Sequence, residues 1–366
     1  MTSALVSRRT WPAVVLVGML ATACAPTQGQ FAPSPIVGVG DARAAAKAAT
    51  PYLYVMDPGA GHVAIYSTVT GLVTKLIPVA NPKGMAVDHF GTVYIADAIK
   101  GYVFVYKSTG PGTVRRVRKI SAPTPEAIAV DSSANLFILQ GPSGEQEIAE
   151  YPVGKNVPSR VIKTGLLEAT ALATDAQGNI YAVNFPSSVV VYKPGAVSPN
   201  RTITNGIADP VALTVDLSGN LFVANNGGGD GTVTEYAPGR TFPKTLRRGV
   251  SLPQAVAVNA SGDLYVADYA EPSGLAKSKI TVYAPGARSP MLTIPGSGCL
   301  NSSGCHTLSL AFDRAGKLYV PHIETNKHGG DLRGSVSVFK PGQTTESMRI
   351  TASMVRPSQI AVVLGE

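Results

Sequence analysis

Apolar residues in this chain fall in short runs, broken at nearly constant intervals by an acidic or amide residue and a glycine. Six segments align: GMAVDHFGTVYIAD (84–97), AIAVDSSANLFILQ (127–140), ALATDAQGNIYAVN (171–184), ALTVDLSGNLFVAN (212–225), AVAVNASGDLYVAD (255–268) and LSLAFDRAGKLYVPH (308–322). Each reads as a short strand, a four-residue turn that begins with Asp or Asn and usually ends in Gly, and a second strand. The turn chemistry explains itself: Asp or Asn bonds its own backbone two residues on, and Gly accepts a positive φ. The turn residues Asp88, Asp131, Asp175, Asp216, Asn259 and Asp313 stand 43, 44, 41, 43 and 54 positions apart.

A third strand follows most copies and ends alike, as VYKPG (191–195), EYAPG (235–239), VYAPG (282–286) and VFKPG (338–342). Pro-Gly suits a turn whose second central residue has positive φ, so a fourth strand such as NRTIT (200–204) or SMRIT (347–351) folds back. The N-terminal segment offers YLYVMD (52–57), HVAIYS (62–67) and VTKLIPV (73–79), which are second, third and fourth strands without a first. PSQIAVVL (357–364) has the pattern of a first strand and lies at the other end. The expectation is an all-β domain over 51–366, a seven-bladed β-propeller of four-stranded blades, closed by the C-terminal strand pairing with the N-terminal blade.

These segments, PKGMAVDHFGTVYIAD above all, resemble the NHL-repeat propellers and the wider group that includes the regucalcin/gluconolactonase family. The resemblance implies the propeller fold and a range of roles: lactonase, lyase, sensor or binding protein. A regucalcin-type lactonase implies a metal-binding glutamate near the first blade and a Trp-containing strand. The single tryptophan here is Trp11, far upstream of the repeats. No Gly-x-Ser-x-Gly elbow, His-Glu-x-x-His pair or Walker loop is present.

In a four-stranded meander the short Asp-x-x-Gly and Pro-Gly turns lie on one face. The opposite face carries the second-to-third loops and the crossings between blades. The irregular insertions fall there: Tyr269 to Ser278, Gly296 to His306, Ile323 to Gly334 and NGGGD (226–230). Loops on a rigid scaffold are where binding is usually built, which places a site on that face nearest blades six and seven. One polar residue per blade ends the second strand there: Asp57, Asp97, Gln140, Asn184, Asn225, Asp268 and His322. They read either as caps for the loop backbone or as a polar funnel for a hydroxylated ligand or a divalent cation, with Asn225, Asp268 and His322 as the metal candidates. Oxygen donors favour calcium or magnesium, and histidine favours zinc. His306, His322 and His328 cluster near blade seven with Glu324 and Asp331, and His306 and Glu324 are the candidate catalytic bases. A polar exposed loop accounts for the same cluster. The tyrosines Tyr94, Tyr181, Tyr265 and Tyr319 recur in second strands, where they read as packing between blades.

Composition fixes an address more than an activity. There are 38 Gly and 28 Pro, only 15% charged residues, and a formal charge of +8. Arg115, Arg116, Arg118 and Lys119 read as a solvated outer strand that discourages sheet-to-sheet pairing, with contact to a polyanion as the alternative. Residues 1–23 carry two arginines, no acid, and an apolar run that ends at Ala23-Cys24. Leu20, Ala21, Thr22, Ala23 and Cys24 resemble a bacterial lipoprotein signal, which implies lipidation of Cys24. Residues 24–50, rich in Ala, Pro and Gly, then form a flexible tether. Ala25 resembles the residue that sorts such proteins to the outer membrane. Cys299 and Cys305 read as a small disulfide of an exported protein, with metal binding the other option. The chain is thus expected to be a monomeric binding module of the bacterial cell envelope, facing away from the cytoplasm. Its partners are a membrane through the lipid and a protein or small polar ligand on the loop-rich face, not nucleic acid. A metal-dependent lactonase or lyase, and a structural surface protein, are the alternatives.

Overall fold

The computed structural model describes residues 51–227, 231–247, 250–269, 278–296, 304–325 and 331–364. Among them all regular structure is β, in seven antiparallel sheets, six of four strands and one, blade 7, with its inner strand in two pieces. Blade 2 shows the unit: Pro82–Val87, Val93–Asp97, Tyr102–Gly110 and Thr113–Ser121 pair in sequence order. Blade 1 is composite. Its first strand is Gln359–Leu364, which pairs antiparallel with Pro51–Asp57 in the register Tyr54↔Ala361. The ring therefore closes as the repeat phase predicts.

The turns form for the reasons read in the sequence. Asp88 Oδ1 accepts the amides of Phe90 and Thr92 at 3.0 and 2.8 Å, and Asp175 Oδ1 does the same for Gln177 and Asn179. The fourth turn residue is left-handed throughout, including Ala134 at φ 61°, the one copy without glycine there. The second oxygen of the turn aspartate takes the tyrosine hydroxyl from the second strand in three blades: Tyr94 at 3.1 Å, Tyr181 at 2.9 Å and Tyr319 at 3.2 Å. Burial, and then the adjacent carboxylate, push these hydroxyls well above the usual phenol range.

Among the described residues there is no single central core. The buried apolar residues fall into seven clusters, each filling the gap between two neighbouring blades. Two-sided burial is why second strands such as Val93–Asp97 and Leu221–Asn225 are buried at every residue. The first strands contact one another around the axis and form the inner wall.

Blade 7 departs from the pattern. Its inner strand is split into Gly304–His306 and Ala311–Phe312, both paired with Leu318–Thr325. The insertion read as a loop from Ile323 to Gly334 is partly strand, since the second and third strands run on to Thr325 and resume at Asp331. These two strands, of eight and nine residues, overshoot the five-residue norm of blades 3 to 5.

Blade 5 holds an ion pair with both partners buried. Arg247 is 0% exposed and Glu235 2%, with Arg247 Nη2 donating to Glu235 Oε2 at 2.8 Å. The guanidinium carbon lies 5.5 Å from the rings of both Phe222 and Tyr283, so the charge sits between blades 5 and 6. Removing one partner strands the other charge in the interface. Glu235→Gln is expected to lower stability by ~3–5 kcal/mol in urea unfolding, and Glu235→Leu/Arg247→Met to recover most of that loss.

Candidate functional site

The seven residues at the ends of the second strands all lie on the loop-rich face, and all are buried. They stand one strand outside the inner wall, and six of them bond the segment that leads into the inner strand of their own blade. Asp57 accepts the amides of Val355 at 2.6 Å and Arg356 at 2.9 Å, besides that of Ala60. Asp97 accepts those of Ala80 and Asn81, and Asp268 those of Ser251 and Leu252. Asn184 accepts the amide of Leu167 and donates to the carbonyl of Gly165, while Asn225 accepts the amide of Ala208. Short Asp and Asn side chains recur here because the crossing backbone passes within one hydrogen bond of the strand end.

His322 makes the sixth connection through side chains. Thr307 Oγ1 lies 3.1 Å from its Nδ1 and Ser337 Oγ 3.0 Å from its Nε2. Because Ser337 donates its proton to Glu346 at 3.2 Å, its oxygen accepts from Nε2–H, and Nδ1 accepts from Thr307. Burial, and then the Arg349 charge, lower the His322 pKa to about 3, so the ring is neutral.

The metal candidates Asn225, Asp268 and His322 come from three successive blades, and each is engaged within its own blade. Asp268 also faces Lys279 Nζ at 3.5 Å. Among the described residues no group of three His, Cys, Asp or Glu side chains converges. Of the catalytic candidates, Glu324 is buried and paired with Arg333 at 3.1 Å, and the His306 ring stacks on Tyr269 at 4.3 Å between centroids. His328 and Cys299, most of the insertion at 269–278, and Cys24 with its tether lie outside the described residues.

Gln140 is the exception in the ring. Its Nε2 donates to Glu147 Oε1 at 2.8 Å, while its Oε1 is buried without a hydrogen-bond partner. Beside it opens a cleft of about 450 Å³ between blades 2, 3 and 4. Lys83 of blade 2, Glu126 and the loop 141–146 of blade 3, and Glu168 and Thr170 at the start of blade 4 line it. Lys83 and Glu126 pair across the cleft at 3.6 Å. Gln146 clamps the backbone of Ala169, accepting its amide at 2.6 Å and donating to its carbonyl at 2.8 Å. The hydroxyl of Thr170 is buried in the wall without a partner.

The walls are also strained. Thr124 and Glu168 have φ of 42° and 45°, and both line the cleft; Asp209, the equivalent residue of the next blade, has 46°. All three stand seven residues before their turn aspartates. Non-glycine residues in this region cost about 1–3 kcal/mol each, and such strain gathers at functional sites. Nothing in the repeat pattern marks these residues, since none is a glycine. The one available signal was blade 3 itself, whose second strand ends in Gln rather than Asp or Asn and runs into the irregular GPSGEQ.

The fold and this arrangement define a seven-bladed β-propeller. No protein-family model matches the chain, and no curated protein matches it. Among solved structures it is similar to a functionally unknown protein from Desulfotomaculum acetoxidans, with TM-score 0.68 and 16% identity over 86% of this chain and 99% of that one. It is also similar to hydrazine synthase of Kuenenia stuttgartiensis, with TM-score 0.57 and 14% identity over 71% of this chain and 76% of that one. At these identities the likeness is one of fold.

The neutral His322 ring gives a test of sign. Its folded pKa lies below the ordinary histidine value of 6.5, so between pH 6.5 and about 3 the unfolded chain binds the extra proton. Stability from this group is present above pH 6.5 and is lost as pH falls toward 3, by up to ~1.4 kcal/mol per pH unit. His322→Gln is expected to flatten that slope when unfolding is followed from pH 7 to pH 4.

Proposed function

We propose that this chain is an extracytoplasmic binding module, held at a membrane through acylated Cys24 and the tether 24–50, that takes a polar ligand on its loop-rich face. The cleft between blades 2, 3 and 4 is the observation that carries this reading. Its volume falls within the range of small-molecule sites, and its lining mixes hydroxyl, amide and charged groups with Pro142 and Ala169 and has no aromatic ring. Two residues with left-handed backbone and the unpartnered Thr170 hydroxyl line it together. Such local departures from a well-satisfied scaffold are expected where structure serves binding.

The lining selects the ligand chemistry. Glu168 offers an exposed carboxylate, Thr124 and Ser143 offer hydroxyls, and the Lys83–Glu126 pair offers one group of each sign. Molecules rich in hydroxyl or amide groups, such as saccharides or a short extended peptide, match that set. Ser143 is exposed, so Ser143→Trp narrows the cleft without touching the interblade cores. Compounds of those two kinds are expected to raise the melting temperature of the native protein and to leave that of Ser143→Trp unmoved. Equal shifts in both proteins would place binding elsewhere.

A further inference from the structure

The formal charge of +8 is unevenly placed. Residues 126–366 hold 19 basic and 19 acidic side chains, whereas residues 51–125, which supply blade 2 and most of blade 1, hold eight basic and three acidic. The three acids are Asp57, Asp88 and Asp97, at 0%, 5% and 0% exposure. The surface of this stretch thus presents lysine and arginine against no exposed carboxylate of its own.

Six of the eight basic residues share the outer rim: Lys75 on the last strand of blade 1, and Lys107, Arg115, Arg116, Arg118 and Lys119 on the outer hairpin of blade 2. That hairpin is unusually long, with nine residues in each strand, Tyr102–Gly110 and Thr113–Ser121. Its tip bends onto blade 1, where a Cβ on Gly112 would lie 2.7 Å from both Thr74 Oγ1 and the Tyr52 ring. Tyr52 directly follows Pro51, so the first described residue lies beside this hairpin. Rings and backbone hold part of the basic row in place: Lys119 Nζ lies 3.7 Å from the Tyr102 ring centre, Arg116 5.2 Å from that of Phe104, and Arg118 donates to the Lys155 carbonyl. Aliphatic side chains stand among the charges on the same strands, with Leu76, next to Lys75, 43% exposed and Val117, between Arg116 and Arg118, 41% exposed.

We propose that this rim of blades 1 and 2 docks on a layer of anionic lipid headgroups. Clustered lysines and arginines beside a membrane tether are attracted to anionic lipid, and exposed aliphatic groups add shallow insertion at the headgroup boundary. A strand edge guarded only against sheet pairing needs the charges but not the exposed Leu and Val. A single-stranded nucleic acid would be matched by a row of exposed aromatic platforms; among the described residues of the outer strands of blades 1 and 2 none is exposed, and Phe90, 65% exposed, stands in the first turn of blade 2. Pro51 and the hairpin tip both lie on the short-turn side, so docking there leaves the loop-rich face and its cleft turned away from the membrane. The proposal rests on the Cys24 reading only for where the tether is fixed; the attraction itself needs no acyl chain.

The test uses residues 51–366, which contain every strand of the closed ring, and co-sedimentation with phosphatidylglycerol/phosphatidylcholine vesicles. The native domain is expected to pellet with them at low salt and to be released at high salt. Lys75→Gln/Lys107→Gln/Arg115→Gln/Arg116→Gln is expected to weaken partitioning by about tenfold or more. Lys193→Gln/Arg240→Gln/Arg314→Gln/Lys340→Gln, which removes the same charge from blades 4, 5 and 7, is expected to weaken it far less. Absence of lipid-dependent pelleting by the native domain, or equal losses in the two variants, would overturn the proposal. Labelled palmitate in the full-length chain, compared with Cys24→Ala, reads the anchor separately, so failure of one idea is distinguishable from failure of the other.

Discussion

Pairing between the two ends of the domain is the constraint on which the rest depends. Among the described residues Gln359–Leu364 is the strand that lines the axis in blade 1, and it reaches Pro51–Asp57 across some 300 residues of sequence. Polar contacts lock the join. Asp57 holds the amides of Val355 and Arg356, Ser358 donates its amide to the Met56 carbonyl, and Gln359 Oε1 accepts the amide of Met85 in blade 2 at 2.6 Å. Because each apolar cluster belongs to two blades, an open ring would expose the clusters on both sides of blade 1. A closed ring has no such edge.

The same side-chain device repeats around the ring and explains why so much polarity is buried. An Asp or Asn at the end of a second strand holds the crossing that delivers the inner strand, and an Asp or Asn in the opposite turn holds that turn. Carboxylates accepting two or three backbone amides are strongly bound, which offsets their removal from water. The face that carries the crossings is thereby rigid at its base. Loops and the blade 2–4 cleft rest on that base, while the opposite face carries only short turns.

Much of this was legible in the sequence, because turn chemistry is local. Asp88 and its equivalents, the Pro-Gly turns and the missing first strand each follow from residues within a few positions of one another. The cleft was not legible, because it depends on contacts between blades. Gln146 acts on Ala169, 23 residues away, and the left-handed conformations of Thr124 and Glu168 are imposed by how crossings meet neighbouring sheets. Strand extension in blades 2 and 7 was hidden for another reason: periodicity locates a strand's centre but does not say how far pairing runs past it. The long insertions of blades six and seven lie largely outside the described residues, and the cleft lies at blades 2 to 4, where spacing stays regular.

Native-state hydrogen exchange on Asp57→Ala tests the closure account most directly. If the Asp57 carboxylate locks the ring, the variant should lose about 2–3 kcal/mol of stability, with the amides of 51–57 and 359–364 exchanging much faster than those of blades 3 to 5. Unchanged protection of those two strands, or a loss spread evenly over all seven blades, would contradict it.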